Sequence, residues 1–209
     1  FEKPSLIQHK AIPKIIQKKD VIAQAQSGTG KTGAFSIGSI NNVDESCKDN
    51  QVIILSPTRE LADQSYNVVR ELVSYTDISI CKVVGGTNMA QGFTELQKKP
   101  KILVGTPGRI IDMIQKKYIY TSKIHTLIID EADEMLSYGF IETIYLIINS
   151  LPKTTQIGLF SATLTPEIME LTSKFMNNPE KILVTNENLT LEGISQYYIN
   201  VKTHNWKYD

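Results

Sequence analysis

Cysteine is scarce in this sequence: there are 2 in 209 residues, Cys47 and Cys81, with no C-x-x-C pair and no Cys/His cluster. That scarcity excludes a disulfide scaffold and a cysteine-built zinc site, and it points to a reducing compartment. Net charge is lacking as well. The 22 Lys plus Arg are matched by 22 Asp plus Glu, so no polybasic surface holds nucleic acid by charge alone and any such site must be local. Long apolar runs are missing. The longest, Ile144-Tyr145-Leu146-Ile147-Ile148, falls far short of the ~20 residues of a membrane-spanning helix. The N-terminus has no basic-then-apolar leader. These absences predict a soluble, membrane-free protein of the cytoplasm, with the nucleus as the alternative. For such a chain the Asn188-Leu189-Thr190 glycosylation pattern is a chance match.

What is present is ordinary globular composition, 41% hydrophobic and 21% charged with 12 Gly and 8 Pro, enough to build a core without a metal or a staple. At ~150 residues per domain the length predicts one large domain, or one domain with a tail. The chain begins at Phe1 rather than Met and reads as a piece of a longer protein. Short apolar runs at 21–23, 52–55, 80–84, 102–104, 126–129, 157–160 and 182–184 alternate with segments of helical period. This alternation marks βαβ units, and consecutive apolar residues within each run mark strands covered on both faces. The expected fold is therefore a three-layer α/β domain with a mostly parallel sheet. Helices are predicted at 60–75 and at 166–176, the latter with Thr165 as cap and Pro166 in the first turn. The pattern decays after Val184, which sets a domain at 1–186 and a tail at 187–209. Tyr197, Tyr198 and Trp206 in that tail suit packing against a further unit more than base stacking.

Chemistry is concentrated in a few loops. Ala25-Gln26-Ser27-Gly28-Thr29-Gly30-Lys31-Thr32-Gly33 follows a strand and opens a helix. That is the context of a phosphate-binding loop, in which backbone N–H groups close around phosphate oxygens, Lys31 reaches the terminal phosphates and Thr32 offers a hydroxyl to Mg²⁺. Ala25 stands where the pattern usually has glycine, which the loop absorbs if its φ stays negative. Asp130 and Glu131 end an apolar strand, so Asp130 is placed to hold Mg²⁺, through water, and Glu131 to deprotonate an attacking water. Because loops that follow parallel strands share the carboxyl edge of the sheet, that edge also collects Pro57-Thr58-Arg59, Gly85-Gly86 and Thr106-Pro107-Gly108-Arg109. Helix starts and two arginine forks suit a sugar-phosphate backbone without large net charge. Taken singly, Thr106 and Pro107 could equally be no more than a helix cap.

Asp130-Glu131-Ala132-Asp133 is the signature of DEAD-box RNA helicases, and the sequence resembles that family in the phosphate loop, Pro-Thr-Arg-Glu-Leu-Ala, Gly-Gly, Thr-Pro-Gly-Arg and Ser161-Ala162-Thr163, in the family's order. Within it, residues 23–27, 130–136 with Gly139-Phe140, and 189–194 are most similar to the translation initiation factor 4A subgroup. The resemblance implies an N-terminal RecA-like lobe that binds ATP and Mg²⁺, contacts single-stranded or duplex RNA independently of sequence through 57–59, 85–86 and 106–109, and couples the two through Asp133, Ser161 and Thr163. Lys31, Asp130 and Glu131 are then its catalytic residues. Ser27, Gly28, Thr29, Gly30, Lys31, Thr32 and Gly33 cradle the nucleotide. The opening segment resembles the family's Q motif, in which Gln8 reads the adenine edge, Phe1 stacks on the ring and Lys3 lies alongside. Ser5-x-x-Gln8 is also a helix capping box on sequence alone. The resemblance further implies a second RecA-like lobe after residue 209, initiation-factor scaffold proteins as partners, and a monomer. Messenger RNA surveillance, splicing and ribosome assembly use similar lobes and stay open beside translation initiation.

Two other classes compete. A GTPase switch needs a guanine-reading Asn-Lys-x-Asp segment, which the sequence lacks. A silent RNA- or protein-binding module would tolerate loss of Lys31, Asp130 or Glu131, all of which are intact. His9, His125 and His204 match no metal or triad spacing and read as surface or satisfied core residues. Lys98-Lys99-Pro100-Lys101 and Gln115-Lys116-Lys117 read as solvated helix ends.

Overall fold

The computed structural model describes residues 3–86, 89–184 and 197, with the side chains of 89–91 left aside. Phe1, Tyr198, His204 and Trp206, and the tail assigned to 187–209 apart from Tyr197, lie outside the described residues. Seven strands, β1 (Val21–Gln24), β2 (Val52–Leu55), β3 (Ile80–Val83), β4 (Ile102–Gly105), β5 (Thr126–Ile129), β6 (Gln156–Ser161) and β7 (Glu180–Leu183), form one sheet in the order β3-β4-β2-β5-β6-β1-β7. Every pairing is parallel, a stricter arrangement than the mostly parallel sheet expected.

Side-chain alternation divides each strand between two cores. Ile22, Ile53, Leu55, Leu103, Leu127, Ile129, Ile157 and Leu159 point to one face, while Val21, Ala23, Val52, Ile54, Ile102, Val104, Ile128 and Phe160 point to the other. Helices α1 (Leu6–Ile16), α2 (Lys31–Asn41) and α3 (Arg59–Leu72) cover the second face. On the first lie α5 (Pro107–Gln115), α6 (Ala132–Ser137), α7 (Ile141–Asn149) and α8 (Pro166–Phe175), and α4 (Met89–Gln97) packs beside β3. The five inner strands are thus dry on both faces, which is why they read as apolar runs, while the edge strands β3 and β7 carry Lys82, Glu180 and Lys181.

Local chemistry sets the helix ends. Thr58 caps α3 by accepting from the Leu61 N–H at 3.2 Å, and Thr165 caps α8 through Ile168, with Pro166 in the first turn. α3 stops at Leu72, three residues short of the expected end, and Tyr75 is fully exposed beyond it. α1, α4 and α5 each end with a lysine in left-handed conformation, Lys18, Lys99 and Lys117, at φ 59, 53 and 60°. The predicted solvated helix ends are thus turns that reverse the chain.

Below the sheet, at its amino edge, a buried polar band holds the strand starts. The Asp20 carboxylate accepts from Ile157 and Asn177 N–H groups at 2.7 and 2.6 Å, and its pKa is nonetheless raised by burial. Gln156 donates to the Ile15 and Lys19 carbonyls at 3.0 and 2.5 Å. His125 is half-buried between Thr126 and Gln51, the satisfied core histidine expected, and burial lowers its pKa. Both cysteines are free, and burial, with Glu95 beside it, pushes the Cys81 thiol up to about 12, so it is inert. Among the described residues no helix is long and apolar enough to cross a membrane.

Candidate nucleotide and RNA site

The strand order places the chemistry. β5, β6 and β1 are consecutive neighbours, so the loops that follow them meet at the carboxyl edge. The loop after β1 turns through Gly28 and Gly30, both at positive φ (78° and 96°), and the first turn of α2 has no side-chain cap. Its N–H groups are therefore presented to whatever enters the loop. Gly28 has open space where a Cβ would stand. Ala25 is not among the positive-φ residues, so the alanine fits as expected, and its N–H donates to the Ser161 carbonyl at 3.0 Å. Ser27 and Gly28 are exposed, and Thr29, Gly30 and Thr32 are half-buried.

Lys31 is buried at the first turn of α2, and its ammonium donates to the Ala25 carbonyl at 3.1 Å and to the Glu131 carboxylate at 3.0 Å. Asp130 is buried beside this pair. Burial first, and then the Glu131 charge, push its carboxyl up to about 7 against the pull of Lys31. Glu131 takes the left-handed region, φ 49° and ψ 55°, as the N-cap of α6. For a residue with a Cβ that conformation costs on the order of 1 kcal/mol, and strain of this kind gathers at functional sites. Nothing in the local sequence signals it.

Two residues on, Asp133 bridges to the loop after β6. Its carboxylate accepts from the Thr163 N–H at 2.9 Å and the Thr163 hydroxyl at 2.8 Å, while its own N–H donates to the Ser161 hydroxyl at 3.3 Å. Burial pushes the Asp133 pKa up, yet the hydrogen bonds from Thr163 and Ser161 outweigh it and hold the group below the usual carboxylate range. The three residues assigned to coupling are thus joined.

At the other end of the site, Gln8 carries two arrangements at once. The capping box is formed: Gln8 Oε1 accepts from the Ser5 N–H at 3.0 Å, and the Gln8 N–H meets the Ser5 hydroxyl at 3.5 Å. The same amide donates through Nε2 to the Gly30 carbonyl at 3.2 Å, tying α1 to the phosphate loop. By the capacity of an amide, one N–H and one lone pair remain, enough for a paired edge contact. Lys3 is exposed just ahead of the cap.

The other half of the sheet, β3-β4-β2, carries the remaining motifs. One open groove of about 870 Å³ is lined by Pro57, Thr58, Arg59, Glu60, Gly85, Thr106, Gly108, Arg109, Asp112, Tyr138 and Phe140, while of the expected contacts Gly86 is exposed and Pro107 buried, and neither is among its walls. The Arg59 guanidinium lies over Gly85 and Gly86, where any Cβ on Gly86 would collide with it. Arg109 donates to Asp112 at 2.8 Å and lies 5.6 Å from the Phe93 ring centre. Thr106 and Pro107 do start α5, but the Thr106 hydroxyl makes no cap hydrogen bond, unlike that of Thr58. Asp112 and Tyr138 fall outside the sequence motifs, and Glu60 belongs to one without an expected role. Asp112 could have been found from its i,i+3 spacing to Arg109, whereas Tyr138 carried no signal.

Residues 5–171 match the DEAD/DEAH box helicase family. The chain belongs to that family. It is 52% identical over 209 residues to an ATP-dependent RNA helicase eIF4A of Eremothecium gossypii, covering all of this chain and 53% of the relative. This DEAD-box chain thus spans about half the length of the curated relatives it matches. Among solved structures, a DEAD box protein from Methanococcus jannaschii has a TM-score of 0.83 at 40% identity, over 87% of this chain and 50% of that one. A Saccharomyces cerevisiae Dbp5 bound to RNA and ADP BeF3 has a TM-score of 0.81 at 35% identity, over 88% of this chain and 47% of that one. The RecA-like DEAD-box fold expected from the motifs is the fold observed.

Proposed function

We propose that this DEAD-box chain is the N-terminal lobe of an ATP-dependent RNA helicase, with a nucleotide site on β5-β6-β1 and an RNA groove on β3-β4-β2. The observation that carries the reading is the pairing of buried Lys31 with half-buried Glu131 at a phosphate-type loop, on the same sheet edge as the two-arginine groove. A neighbour of the same fold bound to RNA and ADP BeF3 supports both ligands.

The donor set also suits magnesium. The Asp130 carboxylate, reached through water, and the Thr32 hydroxyl are hard oxygens at the strand end and the first turn of α2. An ion held by one or two protein oxygens, with phosphate and water completing its shell, matches that economy. Magnesium, when bound, supplies the counter-charge for phosphate oxygens and for the Asp130 carboxylate. Lys31 would exchange the Glu131 carboxylate for a phosphate oxygen. That exchange leaves Glu131 able to accept the proton of a water whose oxygen bonds to the γ-phosphorus as the bridging oxygen departs with ADP. Base availability would in this way follow nucleotide arrival. Asp133, held to Ser161 and Thr163, would pass the loop's position from β5 to β6.

Gln8 supports adenine as the base, since an amide donates and accepts on one edge, and Phe1, Lys3 and residues 27–33 complete the proposed nucleotide contacts. RNA would be held through its backbone by Pro57, Thr58, Arg59, Gly85, Gly86, Thr106, Pro107, Gly108 and Arg109. The lobe is assigned to 1–186, and 187–209 to a linker and the start of a second RecA-like lobe. A cytoplasmic role in translation initiation, as a monomer with scaffold partners, takes its support from the eIF4A relatives. Competition of ATP and GTP for the 209-residue chain tests the base assignment. ATP should win by at least tenfold, and equal competition would refute it. Gln8→Ala should weaken ATP by ~1–3 kcal/mol.

A further inference from the structure

The groove contains a side chain that backbone recognition does not explain. Its other walls are helix starts, glycines, two arginines, the Glu60 and Asp112 carboxylates and the half-buried Phe140, whereas Tyr138 contributes an aromatic ring that is 58% exposed. The backbone from which the ring projects is set by a turn. Tyr138 is the C-cap of α6, Gly139 reverses the chain at φ 76°, the Gly139 N–H donates to Leu136 at 2.9 Å and the Phe140 N–H donates to Met135 at 3.0 Å. This paired reversal places Tyr138 and Phe140 on either side of one glycine. Phe140 is half-buried against the core and meets the Tyr138 ring edge-on, centres 6.5 Å apart at 67°. One ring is therefore an anchor and the other is presented. Tyr75 and Tyr120, also exposed, lie outside the groove, and Tyr120 is covered by the Lys99 ammonium at 4.5 Å.

We propose that Tyr138 is a stacking surface for an unpaired nucleobase of single-stranded RNA lying in the groove, with purines favoured over pyrimidines. The inference rests on the RNA reading above and goes beyond it, because phosphate contacts position a strand without reading its bases. Every base has a π-face, so stacking tolerates sequence, and the preference it does impose follows stacking strength, which is greatest for purines. A tyrosine has only two side-chain torsions to lose on stacking, and the turn has already ordered its backbone.

The test is an NMR titration of the isotope-labelled 209-residue chain with oligo(A), oligo(U) and inorganic polyphosphate, following the Tyr138 ring protons and the backbone amides of Arg59, Gly85 and Thr106. Oligo(A) should shift the Tyr138 ring upfield, oligo(U) less, and polyphosphate should leave it unmoved while still shifting the amides. Tyr138→Phe should keep oligo(A) affinity and Tyr138→Leu should weaken it by roughly fivefold or more. Amides that respond to RNA beside a silent Tyr138 ring would overturn the stacking surface and leave the RNA groove standing. Silence of ring and amides together would overturn both. A Tyr138 shift of equal size with polyphosphate, or undiminished oligo(A) affinity in Tyr138→Leu, would also overturn the stacking surface.

Discussion

Asp130 and Glu131 are adjacent carboxylates with different environments. Asp130 is enclosed at the strand end, while Glu131 leans on the Lys31 ammonium. The folded chain holds the Asp130 carboxyl up at about 7, against ~3.9 for an aspartate in an unfolded chain. A carboxyl raised in the native state binds its proton more tightly there, so stability falls as pH rises from ~4 to ~7 and the full cost is present above that window. Asp130→Asn keeps the shape and cannot ionise. In magnesium-free buffer its thermal midpoint should exceed that of the parent at pH 8, with the gap closing as pH falls toward 4. A gap that does not change with pH, in thermal melts at pH 4, 6 and 8, would refute the assignment. The strand-end carboxylates were legible from their position after an apolar run. The left-handed backbone of Glu131 and its pairing with Lys31 were not, because they depend on a loop 100 residues away in sequence.

At the scale of elements, three helices finish on lysine where glycine is the favoured residue. In α5 the motif is complete: the Lys117 N–H donates to Ile114 at 3.0 Å and the Tyr118 N–H to Met113 at 2.9 Å, with Lys117 at φ 60°. Replacing it by glycine removes the Cβ penalty while keeping both hydrogen bonds, so Lys117→Gly should stabilise the chain by ~0.5–1 kcal/mol in denaturant unfolding. Lys99→Gly should gain less. Its ammonium pairs with Asp49 at 2.7 Å and lies over the Tyr120 ring, and both contacts are lost with the side chain. The inner strands were legible almost to the residue because two dry faces demand apolar side chains, whereas β7 starts two residues before its apolar run, at Glu180 on the sheet edge. Helix ends were less so. α3 stops at Leu72 where periodicity alone would carry it onward, since the next turns bond locally through Ser74 and Thr76 hydroxyls.

At the scale of the whole molecule, the sheet order separates two jobs. The loops after β5, β6 and β1 are hydrogen-bonded to one another, and the groove spans the loops after β2, β3 and β4. In the proposed reaction a γ-phosphate spreading its charge in the transition state would meet Lys31, whereas Arg59 and Arg109 lie in the groove rather than at the phosphate loop. In related mechanisms an arginine delivered by a second element contributes ~10³ to 10⁵ in rate. The 209-residue chain should therefore bind ATP but release phosphate very slowly at saturating RNA. Fusing it to the second half that its eIF4A relatives carry should restore RNA-stimulated turnover, and Glu131→Gln in the fusion should abolish it again. Steady-state phosphate release by the chain alone equal to that of the fusion would refute the division of labour.

The sequence by itself determined the parallel three-layer sheet, the phosphate loop and the carboxylate pair. These features follow from near-neighbour rules: apolar runs that must be buried on both sides, glycines that permit positive φ, a lysine and threonine one turn into a helix. Only the tertiary structure decided which motifs touch. Placing β6 between β5 and β1 brings Asp133 to Thr163, and α1 packing on α2 gives the Gln8 amide, already a local cap, its phosphate-loop contact. It also decided that Tyr138 stands in the groove beside the arginines. An exposed tyrosine has no period and no motif to betray it, because its position depends on the chain's reversal at Gly139 and on loops brought to the same edge from three other strands.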